Sequence, residues 1–321
     1  MAPELIDHFA LTPRAAKPGS VPLQPVRAGA MFCAEAALDA VLRRSLGEAA
    51  CQHLADPATQ ELSANYDPAA KICRLFVDDG SGPMRALGAT LAPGAIITAT
   101  RMLATLDGQS LQPSAPFLNC VLANGFRYHA AFGQVTDGPS FSIRAHARVL
   151  RPLSDFMTEE QAGVIEKAIL DRKTTLIAGS TSSGKTTMVN ALINLIPASE
   201  RLLIIEDAGE IQARPGNVVR RFATSGADLR RHVFESLRDR PDRIIVGEVR
   251  GPEARDMLEA AATGHTGGLS TIHANSCDEA LTRLARLAQC DQQFIREALD
   301  LAVFIERQPD GRRAVTEIKG I

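Results

Sequence analysis

The sequence predicts an α/β protein: a mostly parallel sheet with flanking helices in the second half of the chain, preceded by a smaller α+β domain. Three observations carry that prediction. Beyond residue 174, short apolar runs alternate with amphipathic stretches, as parallel strands joined by helices require. Between one such run and a helix-like stretch lies Gly179-Ser180-Thr181-Ser182-Ser183-Gly184-Lys185-Thr186-Thr187, a glycine-rich turn where a strand should pass into a helix. The first half instead places Asn124-Gly125 and Asp137-Gly138-Pro139 between apolar runs, and such pairs mark β-hairpins.

With 321 residues the chain has room for two domains, since single cores rarely grow past about 250–300 residues. Residues 1–30, rich in Pro, Ala and Gly, are expected to form a flexible arm. Leu38, Val41, Leu42 and Leu46 recur at helical spacing within 34–50. Residues 72–77 alternate as a strand does, 95–106 can form a second helix, and strands are expected over 117–122, 126–132 and 140–149. Arg151-Pro152-Leu153-Ser154 reads as a linker, and Thr158-Glu159-Glu160-Gln161 as a capping box opening a helix to about residue 170. These readings divide the chain into an arm (1–30), an α+β domain (31–154) and an α/β domain (155–321). In the last, strands are expected at 175–178, 202–205, 244–246 and 269–272, with helices at 227–238, 252–262 and 278–288. An apolar run, 301–305, and a Pro309-Asp310-Gly311 turn close the chain.

Composition narrows the function classes. A net charge of −2 and an aromatic content of 4% without Trp provide neither the positive field nor the stacking platforms of nucleic-acid binders, so direct DNA binding is not expected. Cys33, Cys51, Cys73, Cys120, Cys277 and Cys290 are scattered with no C-x-x-C pair, which reads as reduced thiols in a cytosolic protein. The N-terminal stretch has no apolar h-region, and no run approaches the ~20 apolar residues that cross a bilayer. Membrane association is therefore expected to be peripheral.

The glycine-rich turn satisfies G-x-x-x-x-G-K-[ST], the pattern of a phosphate-binding loop. Its successive backbone N–H groups and the positive end of the following helix suit phosphate oxygens. Lys185 reaches β/γ-phosphates in such a loop, and Thr186 gives an oxygen to Mg²⁺. Two apolar runs end in acids, Leu202-Leu203-Ile204-Ile205-Glu206-Asp207 and Ile244-Ile245-Val246-Gly247-Glu248. Both acids then fall at the carboxyl edge of the sheet, where ligands bind in open α/β folds. There they can hold Mg²⁺, directly or through water, and orient an attacking water. His265 and His273 lie in Thr263-Gly264-His265-Thr266-Gly267-Gly268-Leu269-Ser270-Thr271-Ile272-His273-Ala274-Asn275. They lack a third ligand at metal-site spacing and suit a tight turn sensing the γ-phosphate. Of the arginines from Arg220 to Arg243, Arg230 and Arg231 suit a solvated helix face. Arg238 and Arg240 precede the second acidic strand and can serve a phosphate or a subunit contact.

Taken together, residues 179–187, Ile-Glu-Asp-Ala-Gly-Glu-Ile at 205–211, Arg-Pro-Asp-Arg-Ile-Ile-Val-Gly-Glu-Val-Arg-Gly at 240–251 and the segment 263–275 resemble the type II/type IV secretion ATPase superfamily. In that family these are the Walker A loop, Asp box, Walker B segment and His box. Within it the chain most resembles the TrbB-type, VirB11-like conjugal-transfer ATPases. The likeness extends to Pro116-Phe117-Leu118-Asn119-Cys120-Val121-Leu122 and Ser140-Phe141-Ser142-Ile143-Arg144, so it covers about residues 35–310.

The resemblance implies a RecA-like P-loop ATPase domain and a homo-hexamer with ATP and Mg²⁺ between the two domains. It makes Glu248 the catalytic carboxylate with Glu206 supporting it, and Lys185 and Thr186 the phosphate and Mg²⁺ residues. It has His265 and His273 couple nucleotide state to conformation, and Arg144 and Arg127 approach the phosphates from the N-terminal domain. Gly247 stands where other P-loop enzymes carry Asp. The tetracysteine module usual in type II assembly ATPases is absent, which favours the conjugation branch. The implied partners are inner-membrane components of a type IV secretion apparatus, at the cytoplasmic face. A type IV pilus or type II motor, a nucleotide-gated scaffold with little turnover, a ring helicase and a small-molecule kinase are the alternatives.

Overall fold

The computed structural model describes residues 21–22, 35–80, 82–112, 116–122, 125–145, 149–207, 209–213, 216–223 and 226–321. The N-terminal arm, apart from Val21 and Pro22, and Asn124 of the hairpin signal lie outside them. The chain forms two compact units, one taking in residues 31–149 and the other Leu150–Ile321.

In the first unit, helix α1 (Glu35–Ala55) precedes strands β1 (Glu61–Asp67), β2 (Ile72–Asp78) and β3 (Arg85–Leu91). Helix α2 (Pro93–Leu106) follows, then β4 (Phe117–Val121), β5 (Arg127–Ala131) and β6 (Ser140–Arg144). The strands make one sheet in the order β3-β2-β1-β6-β5-β4, antiparallel at every pairing. Alternation along the strands sends Leu62 and Ala64, Cys73, Leu75 and Val77, and Phe141 and Ile143 to one face. There they pack with Leu46 and Ala50 of α1 and with Ile96, Ala99 and Leu103 of α2. The expected strand 140–149 stops at Arg144. Strands β1 and β3 go beyond the sequence expectation, because the polar faces of Glu-Leu-Ser-Ala-Asn-Tyr-Asp and Arg-Ala-Leu-Gly-Ala-Thr-Leu dilute their hydrophobicity.

The second unit opens with a 3₁₀ turn at Leu153–Asp155. Leu153, within the expected linker, and Phe156, just beyond it, are buried in the second unit's core, and the Phe156 carbonyl accepts a hydrogen bond from the Val315 N–H at 2.8 Å. Helix α3 (Glu159–Leu170) starts with both bonds of the expected capping box, Gln161 N–H to Thr158 Oγ1 and Thr158 N–H to Gln161 Oε1. Then come β7 (Thr175–Gly179), α4 (Lys185–Ile193), β8 (Leu202–Glu206), β9 (Val218–Phe222), α5 (Gly226–Ser236), β10 (Arg243–Val246), α6 (Glu253–Ala262), β11 (Leu269–His273), α7 (Cys277–Ala288), α8 (Gln292–Ala298), β12 (Leu301–Arg307) and β13 (Arg313–Gly320). The sheet order is β9-β8-β10-β11-β7-β12-β13, parallel throughout except for the antiparallel edge strand β13.

Every residue of β7 and β8 is buried, as expected of central parallel strands covered on both faces. One face packs Ile177, Ile204 and Ile245 against Ile165 and Ile169 of α3 and Met188, Val189 and Leu192 of α4. The other packs Leu176, Leu203 and Ile244 against α6, α7 and α8. The result is a three-layer α/β fold with all parallel strands ending at one edge.

Candidate active site

At that edge, β7 runs out at Gly179 into the turn 180–184 and straight into α4. Gly184 starts the helix with φ 101°, a left-handed conformation that favours glycine. Lys185, only 7% exposed, turns its ammonium back over the loop and donates to the Gly179 carbonyl at 2.9 Å and the Ser180 carbonyl at 2.8 Å. Its Nζ also lies 3.4 Å from His273 Nδ1. The turn thus carries a buried cation inside a ring of its own backbone, at the N-terminus of a helix.

Strand β11 ends at His273 and registers beside β7, His273 opposite Gly179. Its Nε2 is 3.2 Å from Glu248 Oε1. Burial, then the nearby Lys185 ammonium, hold the imidazole below its ordinary pKa despite the Glu248 carboxylate. A neutral ring gives one donor and one acceptor. The arrangement assigns Nε2–H as donor to Glu248 and Nδ1 as acceptor from Lys185, which links the phosphate-loop cation to the carboxylate.

Glu248 takes a second bond from Arg250 Nη2 at 2.7 Å, and Arg250 Nη1 reaches Asp207 at 3.0 Å. Burial pushes the Glu248 carboxyl up, but Arg250, with His273 and Lys185, outweighs it and holds the group below the usual carboxylate range. It is therefore ionised at neutral pH. Glu253 fixes the backbone beneath Arg250: its Oε1 accepts the N–H of Arg250 and of Gly251, both at 2.7 Å.

Glu206 behaves differently. It is 4% exposed, its Oε2 accepts the Ile211 N–H at 3.0 Å, and Arg220 Nη1 stands 3.7 Å from Oε1. Burial pushes its carboxyl up to about 7 against the Ile211 hydrogen bond and Arg220. It lies beside Gly247, the residue that precedes Glu248. Thr186 Oγ1 donates to Glu210 at 3.2 Å, and Asn190 Nδ2 holds the Glu210 carbonyl at 3.0 Å. Thr186 and Glu210 thus place two side-chain oxygen donors together at the start of α4, the kind of donor suited to a hard cation such as Mg²⁺, which commonly takes one or two carboxylates together with substrate phosphates.

Strand polarity separates other expected site residues from this cluster. Gly268 bonds Thr175 at the start of β7, so His265 sits at the amino edge of the sheet, about 13 Å of strand from the loop. Its ring Nδ1 is buried without a hydrogen-bond partner. Arg240 (φ 52°) and Arg238, which pairs with Glu235 at 3.4 Å, precede β10 at that same edge. These three, expected at the nucleotide, therefore lie at the opposite edge of the sheet from Lys185. In the first unit, Arg127 and Arg144 stand directly opposite each other on β5 and β6, and Glu61 of β1 faces Arg144 from the other side.

Three neighbours escape sequence reasoning. Arg250 and Glu210 lie inside the quoted motifs, but nothing in their spacing shows what they bond. Arg313, from the far end of the chain, donates from Nε to the Ser182 carbonyl at 3.4 Å; a contact between residues so distant in sequence has no local signal.

A family model described as type II/IV secretion system protein matches residues 138–307. The chain belongs to the type II/IV secretion system protein family. It is 38% identical over 295 residues to the conjugal transfer protein TrbB of Rhizobium radiobacter, covering 87% of this chain and 90% of that one. It is 39% identical over 135 residues to VirB11 of Agrobacterium fabrum, covering 40% and 39% of the two chains. The pilus retraction motor PilT, solved with bound ADP, shares the fold at a TM-score of 0.58 and 17% identity, over 82% of this chain and 79% of that one. The chain is thus a TrbB-type, VirB11-like member of the secretion ATPases, with the RecA-like α/β fold expected of them.

In this secretion ATPase the residue before Glu248 has a packing reason to be glycine. A Cβ on Gly247 would lie 2.9 Å from Glu206 Cβ, since the Gly247 N–H donates to the Ile205 carbonyl of β8 at 2.8 Å and seats the residue against the end of that strand. Gly247→Asp is expected to lose about 1–3 kcal/mol of stability by overpacking, with a further penalty from an acid beside buried Glu206. Urea denaturation measures it; a midpoint equal to wild type would show that the strand ends have room.

Proposed function

We propose that the chain is a Mg²⁺-dependent ATPase that hydrolyses ATP to ADP and phosphate, works as a homo-hexamer, and powers conjugative transfer or type IV secretion. The observation that carries the chemistry is the run Lys185–His273–Glu248–Arg250–Asp207, which joins the phosphate loop to an ionised carboxylate through a neutral imidazole. In this reading the loop N–H groups and Lys185 bind the β- and γ-phosphates. Glu248 accepts a proton from the attacking water, whose oxygen bonds to the γ-phosphorus as the bond to the bridging oxygen of ADP breaks. Thr186 and Glu210 would hold Mg²⁺, directly or through water, with Glu206 behind them; when bound the ion neutralises phosphate charge. His273 reports the state of Lys185 to Glu248. Arg127 and Arg144 are read as phosphate residues of the first unit, and His265, Arg238 and Arg240 as residues of a contact between protomers.

The apparatus is read from relatives named for conjugal transfer, and the nucleotide from the loop together with the ADP of PilT. The same kinship supports reading the protein as bound peripherally to inner-membrane components at the cytoplasmic face. Among the described residues no helix is long and apolar enough to cross a membrane.

Steady-state ATP hydrolysis by wild type and Lys185→Ala, with the native mass of each measured with and without Mg-ATP, tests this reading. Turnover by a wild-type hexamer and its loss in the variant is the expected result. A ring that forms with ATP but does not turn over would instead make the protein a nucleotide-gated scaffold.

A further inference from the structure

Two helices of the second unit hold apolar side chains out in solvent. Val164 and Leu170 of α3 are 49% and 58% exposed. Phe234 of α5, and Leu237 of the 3₁₀ turn that continues it (Leu237–Asp239), are 54% and 36% exposed. Among the described residues of that unit, these four are the large apolar side chains left exposed. Single exposed apolar groups need no explanation, whereas apolar groups gathered on one stripe and rimmed by charge mark a contact surface.

The rims carry opposite charge. On α5 and its continuation, Arg230, Arg231, Phe234, Leu237 and Arg238 recur at helical spacing and are all exposed; the Arg238 guanidinium lies 6.0 Å from the centre of the Phe234 ring. Arg230 and Arg238 keep partners within the chain, Asp256 at 2.8 Å and Glu235 at 3.4 Å. Arg231 and Arg240, also exposed, make no ion pair among the described residues. On α3, Lys167 pairs with Asp171 at 2.6 Å. Glu159, Glu160 and Glu166 are exposed there and make no ion pair among the described residues.

The sheet separates the two surfaces. Ile165 and Ile169 seat α3 on the face that carries Ile177 and Ile204, while Val233 seats α5 on the face that carries Leu176 and Leu203. The stripes therefore look away from each other, and neither can cover the other within one chain. The α5 of one copy can instead meet the α3 of a second, whose own α5 is left to meet a third. A contact between different patches of identical chains repeats in this way and closes into a ring when the rotation allows.

We propose that the α5 face, centred on Phe234, Leu237 and Arg231, docks head-to-tail on the α3 face of a second copy of this chain, centred on Val164, Leu170 and Glu166. The inference rests on the homo-hexamer reading above and names the surfaces that build it. The apolar side chains supply the burial, and aromatic residues and Arg are enriched in such interfaces. The charges decide which patch meets which: α3 on α3 would set acid against acid, and α5 on α5 arginine against arginine.

The test is the native mass of the full chain by analytical ultracentrifugation, with and without Mg-ATP. The chains compared are wild type, Arg231→Glu with Arg240→Glu, Glu160→Lys with Glu166→Lys, and the chain carrying all four changes. Wild type is expected to assemble. Each pair of reversals should weaken association by about tenfold, because like charges then face each other, and the four-change chain, complementary again, should recover. Weakening without that recovery overturns the pairing of α5 with α3. Reversed chains that assemble within about twofold of wild type also overturn it and leave the hexamer reading standing. If their pelleting with phosphatidylglycerol vesicles falls at the same time, the α5 face belongs to an anionic lipid surface instead. A wild type that stays monomeric in Mg-ATP overturns the hexamer reading and this contact together. Urea midpoints check that the reversals leave the fold intact. Where one does not, Phe234→Ala and Leu170→Ala, which keep every charge, decide: each should weaken assembly, and wild-type assembly by both overturns the contact.

Discussion

Glu248→Gln is expected to reduce ATP turnover by about 10²–10⁴-fold, the range for removing a positioned general base, while nucleotide binding survives. The amide keeps the shape of the carboxyl and one acceptor for His273 or Arg250, so the packing at the end of β10 stays intact. What it loses is the negative charge that Arg250, His273 and Lys185 sustain, and with it the site for the proton of the attacking water. Lys185→Ala should differ in kind. It removes the cation that bonds the Gly179 and Ser180 carbonyls, so binding and turnover fall together. The comparison is read from kcat, KM and nucleotide affinity in parallel. A Glu248→Gln enzyme within tenfold of wild-type kcat would remove Glu248 from the chemistry and turn attention to Glu206. The acid side of the pH profile carries a second check. Because the Glu248 carboxyl is held below its ordinary value, activity should persist to lower pH than a free glutamate would allow, then fall as the carboxylate takes up its proton.

Much of this arrangement is legible in the amino-acid sequence alone, and the legible part has a common physical cause. The strand–loop–helix at 175–193 and the acids closing β8 and β10 are local patterns, in which burial on both faces forces apolar runs and the chain must emerge polar at one edge. Sequence therefore locates Lys185, Thr186, Glu206 and Glu248 at one edge of one sheet. It does not separate the two acids, since that depends on surroundings: Glu206 is sealed behind Gly247, whereas Glu248 is pinned by Arg250. It groups His265 with His273 because they share one motif, yet a five-residue strand, Leu269–His273, runs between them and sends them to opposite edges. Strands β1, β3, β9 and β13 escape it, because edge or half-exposed strands tolerate Arg, Glu and Asn, and their hydrophobic signal is thin. Losing β13 from view also hides Arg313.

The largest effect on stability is expected at Arg243, which lies at the amino edge, away from the chemistry. It is fully buried and makes a two-pronged ion pair with Glu200, Nε to Oε2 at 2.7 Å and Nη2 to Oε1 at 2.9 Å. Its remaining Nη1 donates to the Ile169 carbonyl at the end of α3 at 2.7 Å and reaches the Gly267 carbonyl ahead of β11 at 3.5 Å. One side chain thus ties α3, β10, the turn before β8 and the entry to β11. Arg243→Ala should cost about 3–5 kcal/mol, the range for breaking a buried ion pair from one side, which is a large share of a domain stability of about 5–15 kcal/mol. The Arg243 hydrogen bond holds the Glu200 carboxyl below its ordinary 4.5 despite burial. A carboxyl depressed in the folded state adds stability that is complete above the ordinary value and is lost as pH falls through the depressed one. Urea midpoints measured from neutral pH down through that window should therefore fall more steeply for wild type than for Arg243→Ala. A variant less than about 1 kcal/mol weaker, the level of a surface ion pair, would mean that Arg172, which also bonds Glu200 at 2.8 Å, carries the charge alone. The register that sets Glu248 beside His273 begins at this edge, where β10 and β11 enter the sheet around Arg243, so destabilisation here should also reduce the fraction of molecules competent for turnover.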